Sequence, residues 1–228
     1  MTPYGVSHLV PLAVFAVGLL VVVLLGRRPR RSRRLRVVER CWAVAIVACT
    51  VPFQLYDAAT DFELGVSLPL HLCDLAWVAA AVALWTHHRI AVALTFYWGL
   101  VLTVQGLVTP SLGEDFPEGR YFAFWALHIL IVWAAVHLVM DPSLRPGWPE
   151  YRATLAITLT WAGAVYVFNV VADTNYGYLR AKPSSGSLLD LLGPWPLYVA
   201  LEIAIVAAVW AAMTAVLHRP AERRAAAS

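Results

Sequence analysis

The chain has 228 residues; 61% are apolar, only 14% are charged, and the formal net charge is +3. Soluble domains are about 45–50% apolar and about 25% charged, so an ordinary cytosolic enzyme, a secreted disulfide scaffold and a nucleic-acid-binding domain are all excluded. With a mean hydropathy of +0.69, the composition defines an all-α polytopic membrane protein.

A helix needs about 20 apolar residues to cross the hydrocarbon. Residues 8–25, 36–56, 66–86, 89–109, 121–140, 154–172 and 196–217 meet that need, which predicts seven transmembrane helices in a single domain, 1–228. The first lacks a basic start and a small-residue cleavage site and reads as an uncleaved helix. An arginine run at 27–36 follows it. An acidic stretch at 57–63 separates the second and third helices, and His87-His88-Arg89 the third and fourth. Residues 110–120 and 141–152 are rich in breakers, and 173–195 is the longest polar stretch. Placing the N-terminus outside and the C-terminus in the cytoplasm puts fourteen Lys and Arg residues inside and three outside (Arg120, Arg180, Lys182). That asymmetry fixes the expected orientation in the cell membrane.

Polar side chains within a bilayer are costly and mark functional sites. Gln54, Tyr56 and Asp57 end the second helix, His71, Cys73 and Asp74 open the third, and Gln105 lies near the end of the fourth. His128 is in the first half of the fifth, Asn169 and Asp173 end the sixth, and Glu202 begins the seventh. At 1.5 Å per residue most lie roughly 5–12 Å below the outer boundary, whereas the inner halves carry almost none. Residues that merely join helices would scatter in depth, so the layer implies a polar cavity on the outer side.

Pro69-Leu70-His71-Leu72-Cys73-Asp74 is its densest segment. Pro69 suits a first helical turn, and a cysteine there feels the helix dipole. His71 and Cys73 point to different faces, so a base for Cys73 must come from another helix, and His128 lies at a similar depth. His71 and Asp74 are three apart and within reach of each other. Cys41 and Cys49 have no polar neighbours in sequence and read as packing residues.

The stretch 173–195 contains Asn175-Tyr176-Gly177-Tyr178, Arg180, Lys182 and Gly193-Pro194-Trp195-Pro196. It is too long for a tight turn and too aromatic for a flexible linker, and it predicts a lid over the cavity mouth, with Arg180 and Lys182 available to a lipid phosphate. Tyr56, Gln105, Asn169, Asp173, Asn175, Tyr176, Trp195 and Glu202 complete the expected substrate-binding set. The only lysine is Lys182, in a loop, which excludes a retinal Schiff base. There is no HExxH or Walker loop. His71, His128 and Asp74 are too loosely spaced for a metal centre to be expected, and no cofactor is implied.

Pro69-Leu70-His71-Leu72-Cys73 at the start of the third helix, and Asn175-Tyr176-x-Tyr178-Leu179-x-x-Lys182-Pro183 with Ser187-Leu188-Leu189-Asp190-x-Leu192-Gly193-Pro194-Trp195-Pro196 before the last, resemble the YwaF-type bacterial integral membrane family. That family is distantly similar to eukaryotic transmembrane protein 164, a cysteine-dependent acyltransferase that moves fatty acyl chains between phospholipids. The resemblance implies a lipid acyltransferase or acyl hydrolase, with Cys73 as acyl acceptor and His128 as its base. The His71–Asp74 pair, read from its spacing, would orient the head group or relay protons, and membrane lipids rather than nucleic acid are the expected partners. A small-solute or proton-coupled transporter using the same cavity is the alternative, and a structural subunit with the layer packed shut is a third.

Overall fold

The computed structural model describes residues 4–26, 32–60, 62–110, 112–183 and 187–225. All regular elements among them are helical: α1 (Val6–Gly26), α2 (Arg33–Thr60), α3 (Leu72–Thr86), α4 (Arg89–Tyr97), a π-helical turn (Trp98–Thr103), α5 (Val104–Val108), α6 (Gly119–Val139), α7 (Trp148–Ala172) and α8 (Leu197–Ala225), with short 3-10 turns between some of them. Six helices are long and apolar enough to cross a membrane, α4 and α5 counting as one through the π turn. α3 is apolar but has only 15 residues.

Helix ends depart from expectation for identifiable reasons. α3 begins at Leu72 and not at 66, because Asp74 folds its carboxylate back onto the His71 N–H (3.0 Å) and makes His71 the N-cap. Pro69 therefore lies in the irregular approach and not in the first turn. α7 begins at Trp148, six residues early, because Pro149 occupies a first-turn position where a missing N–H costs nothing. Glu150 also accepts the Gly147 N–H at 2.8 Å.

The core is built on α3, α4 and α6. Ala76, Ala80 and Ala83 are almost wholly buried on α3, and such small residues let helices approach closely where lipid offers no hydrophobic drive between them. In the π turn, a Cβ on Gly99 would stand 3.1 Å from the Ala135 Cβ and 3.3 Å from Ile131, so this residue lets the irregular turn press on α6. α1 is peripheral, with His8 and Pro11 its only buried residues. His8 Nδ1 accepts the Tyr4 N–H, so Nε2 carries the proton donated to the Leu107 carbonyl (2.9 Å). Trp133 fills a notch over Gly18, where a Cβ would lie 1.9 Å from its ring.

The expectation of an inner half almost without polar groups is overturned by Glu39. It is 2% exposed, meets Arg36 at 2.8 Å and His137 at 3.0 Å, and lies 3.1 Å from His87. His87 caps α3 in the left-handed region, outside both helices it joins. Burial holds its imidazole below its ordinary value against the pull of Glu39. Neutral His87 then accepts from Arg36 through Nε2 (2.6 Å). Glu39 thus joins α2 to α6, and Arg36 carries the link on to the α3–α4 turn through His87 and the Trp85 carbonyl. Breaking such a buried pair costs about 3–5 kcal/mol. Glu39→Ala is expected near the lower end, because Arg36 can reach water, and a fall in the Tm of the purified protein checks it.

Candidate functional site

A cavity of about 520 Å³ opens in the half of the bundle where α2 ends and α3 begins. Gln54 from α2, His71, Cys73 and Asp74 from the start of α3, Gln105 from α5, His128 from α6 and Glu202 from α8 all line it. Below them the wall is mostly apolar, with Leu102, Leu127, Leu155 and Val206 leading to Trp98 and Trp210. Seven side chains of the expected polar layer therefore face one space.

Cys73 is the second residue of α3 and a free thiol, partly exposed to the cavity. Asp74, one residue on, is committed elsewhere. One oxygen takes the His71 main-chain N–H, and the other accepts from Gln54 Nε2 at 3.1 Å. The expected meeting of His71 and Asp74 is thus with the His71 backbone and not its ring, because N-cap and N3 geometry directs the carboxylate back onto the N–H. The His71 ring packs against Tyr176 and Tyr178, and its Nδ1 receives the Gly177 N–H at 3.4 Å.

His128 is 6% exposed. Its Nδ1 donates to the Phe124 carbonyl at 2.7 Å, which fixes the tautomer and leaves Nε2 as an acceptor. Among the described residues Nε2 has no hydrogen-bond partner. The ring stacks on Phe124 (4.1 Å between centroids) and lies over Gly106. No hydrogen bond joins Cys73 to His128 among the described residues.

The crossover at 173–195 folds by its own side chains. Asn169, fully buried, donates to the Tyr176 carbonyl and accepts from the Thr174 hydroxyl and the Tyr176 N–H, each at 2.8 Å. Asn175 bonds Ala181 and the Arg180 N–H in the same way. Tyr176, also fully buried, ties the segment to the 62–71 turn, donating to the Leu64 carbonyl and accepting the Leu68 N–H. Arg180 spends its guanidinium on Asp173 (2.8 Å) and on the carbonyls of Asn169 and Thr174. Lys182 sits 3.8 Å from Asp190 and over the Tyr198 ring, and Trp195 donates to the Leu179 carbonyl. Gly177, at φ +65, lets the chain turn against Trp161, whose ring a Cβ would meet at 2.6 Å. Thus Asn169, Asp173, Asn175, Tyr176, Arg180, Lys182 and Trp195 lie outside the cavity lining and order the segment. Gly177, Tyr178, Leu179, Pro183, Ser187, Leu188 and Leu189 are what its described residues contribute to the wall.

Tyr56 faces an adjoining, more polar cavity, also about 520 Å³, with Glu63, Glu114, Glu118 and Arg120, the last of which borders both. Sequence reasoning missed Cys49, which lies on the main cavity wall with Thr50 and Thr103. The spacing of Cys49, Phe53 and Gln54 along one face of α2 is the signal that would have found it. Among the described residues no three His, Cys, Asp or Glu side chains converge to hold a metal ion.

A multi-pass, all-α membrane protein with a polar-rimmed cavity inside its bundle is the class these features define. The chain belongs to the TMEM164 family, whose profile matches residues 3–214. Among curated proteins and among solved structures, nothing matches it significantly.

Proposed function

We propose that this protein is a membrane-embedded lipid acyltransferase, with Cys73 as nucleophile and His128 as base. The observation that carries the reading is that a free thiol at a helix N-terminus and an imidazole with an open Nε2 share one cavity whose remaining wall suits an acyl chain. Seven passes would come from the six long helices plus α3 with its irregular approach. The fourteen-to-three split of Lys and Arg supports an outside N-terminus, a cytoplasmic C-terminus and residence in the cell membrane.

In this reading a phospholipid ester carbonyl sits beside Cys73. The thiolate is the reactive form, so the proton passes to His128 Nε2 as Sγ attacks. Collapse of the adduct breaks the ester C–O bond, and His128 returns the proton to the leaving glycerol oxygen. The products are a lysolipid and an acyl thioester on Cys73. A second alcohol, or water, then takes the acyl group by the reverse sequence. The crossover serves as a lid that keeps bulk water from the thioester. Purified protein given a phospholipid with a labelled acyl chain should acquire a hydroxylamine-labile label on Cys73; a label on no cysteine during turnover overturns the mechanism.

Gly106 bears on the base. A Cβ there would lie 2.7 Å from His128 Cδ2 and 2.8 Å from Nε2, while Nδ1 is held by Phe124. Gly106→Ala should therefore displace the ring. A 1 Å misplacement costs up to about 100-fold in rate, and a loss of about 10- to 100-fold in acyl transfer at saturating lipid is expected.

The transporter reading draws support from Glu202, a half-buried carboxylate on the cavity wall without a hydrogen-bond partner among the described residues. Proton-coupled solute uptake in liposomes that survives loss of Cys73 would favour it.

A further inference from the structure

We propose that the backbone N–H groups of Leu72 and Cys73 form an oxyanion hole, binding the carbonyl oxygen of the acyl group as Cys73 attacks. This deepens the acyl-transfer reading and rests on it. The first four N–H groups of a helix have no partner inside it. At the start of α3 the His71 N–H is taken by the Asp74 carboxylate, and the Asp74 N–H goes to the His71 carbonyl at 3.0 Å. Among the described residues the Leu72 N–H makes no hydrogen bond, and the Cys73 N–H meets only its own Sγ. Both residues line the cavity. Unmet donors at membrane depth cost several kcal/mol each, so this pair calls for an acceptor.

His128 supplies the independent observation. It is more than nine-tenths buried, lines the same cavity, and has an Nε2 without a partner. A proton acceptor, a thiol and two free donors thus border one space, which is the set that an acyl group passing through a tetrahedral adduct requires. Of the side-chain amides in this layer, Asn169 is fully engaged by the crossover and supplies no donor, whereas Gln105 borders the cavity. In the step itself the Sγ–C bond forms, the thiol proton moves to Nε2, and the carbonyl π pair moves onto oxygen. The two N–H groups and the positive end of α3 hold that charge. When the pair returns, the ester C–O bond breaks and the leaving oxygen takes the proton from His128.

Leu72→Pro deletes one donor with little disturbance of the backbone. Leu72 is the first helical position, where proline fits, and His71 at φ −71, ψ 151 already has the conformation that precedes a proline. Leu72→Ala measures the loss of the side chain alone. Acyl transfer by full-length protein in phospholipid nanodiscs should be about 100- to 1000-fold slower in Leu72→Pro than in Leu72→Ala. Alkylation of Cys73 by iodoacetamide, which forms no oxyanion, should proceed within about twofold of the same rate in both. Equal transfer rates, or alkylation falling in step with transfer, overturn the proposal. Should Leu72→Pro not fold, a trifluoromethyl-ketone analogue of the acyl chain tests the wild-type protein. Its hemithioketal oxygen on Cys73 should stay ionised at neutral pH, read by carbon-13 shift, and a protonated oxygen overturns the proposal. Failure of the underlying reading looks different: acyl transfer would persist in Cys73→Ala.

Discussion

Cys73→Ala is expected to lower phospholipid acyl transfer by at least about 10⁴-fold. Removing a covalent nucleophile eliminates the intermediate and not one contact among many; in other covalent enzymes the loss approaches about 10⁶-fold. The substitution removes one sulfur from a cavity wall and leaves the Asp74 carboxylate on Gln54 and on the His71 N–H. Folding should therefore shift by no more than about 1 kcal/mol. A Tm near that of the wild type beside lost transfer separates chemistry from collapse. The acyl label should map to the peptide carrying Cys73 and not to those carrying Cys41 or Cys49. Cys49 makes this mapping decisive, since it borders the same cavity; a label there would move the nucleophile to α2.

The next largest effect is expected at His128. His128→Ala should slow acyl transfer by about 10²- to 10⁴-fold, the usual worth of a positioned general base. It should slow iodoacetamide alkylation of Cys73 as well, because both reactions need the thiol proton removed. This coupling separates the base from the donors on Leu72 and Cys73, which alkylation does not use. The vacated pocket, lined by Phe124 and Gly106, should admit free imidazole, and added imidazole should restore part of the rate. Unchanged transfer in the variant removes His128 from the mechanism.

That several of these side chains share one space was legible in the sequence, and the fine wiring of the site was not. Depth follows from counting residues along a span at a fixed rise, so Gln54, Cys73, Gln105, His128 and Glu202 could be placed in one layer without coordinates. Which way a polar side chain points within the layer depends on its neighbours. Asn169 has the same depth and chemistry as Gln54, yet it turns onto the crossover backbone while Gln54 meets Asp74. Glu39 escaped notice because it stands just after an arginine run that topology explains by itself, while its partner His137 lies 98 residues away. The opening residue of α3 escapes a hydropathy window, which runs on through the mostly apolar stretch from Val66 to Leu70 and does not register the cap that Asp74 makes on the His71 N–H.

The π turn in the fourth span has its own consequence. Each residue of an α-helix advances the chain by 100° about its axis, so an uneven turn resets the azimuth of everything after it. Gln105 and Gly106 follow the turn closely and border the cavity. Deleting one residue within Trp98–Thr103 would swing both away while leaving every side chain chemically unchanged. The geometry of the pocket is therefore written in a count of residues as well as in their identities, and the family should tolerate substitutions in this stretch more readily than changes of length.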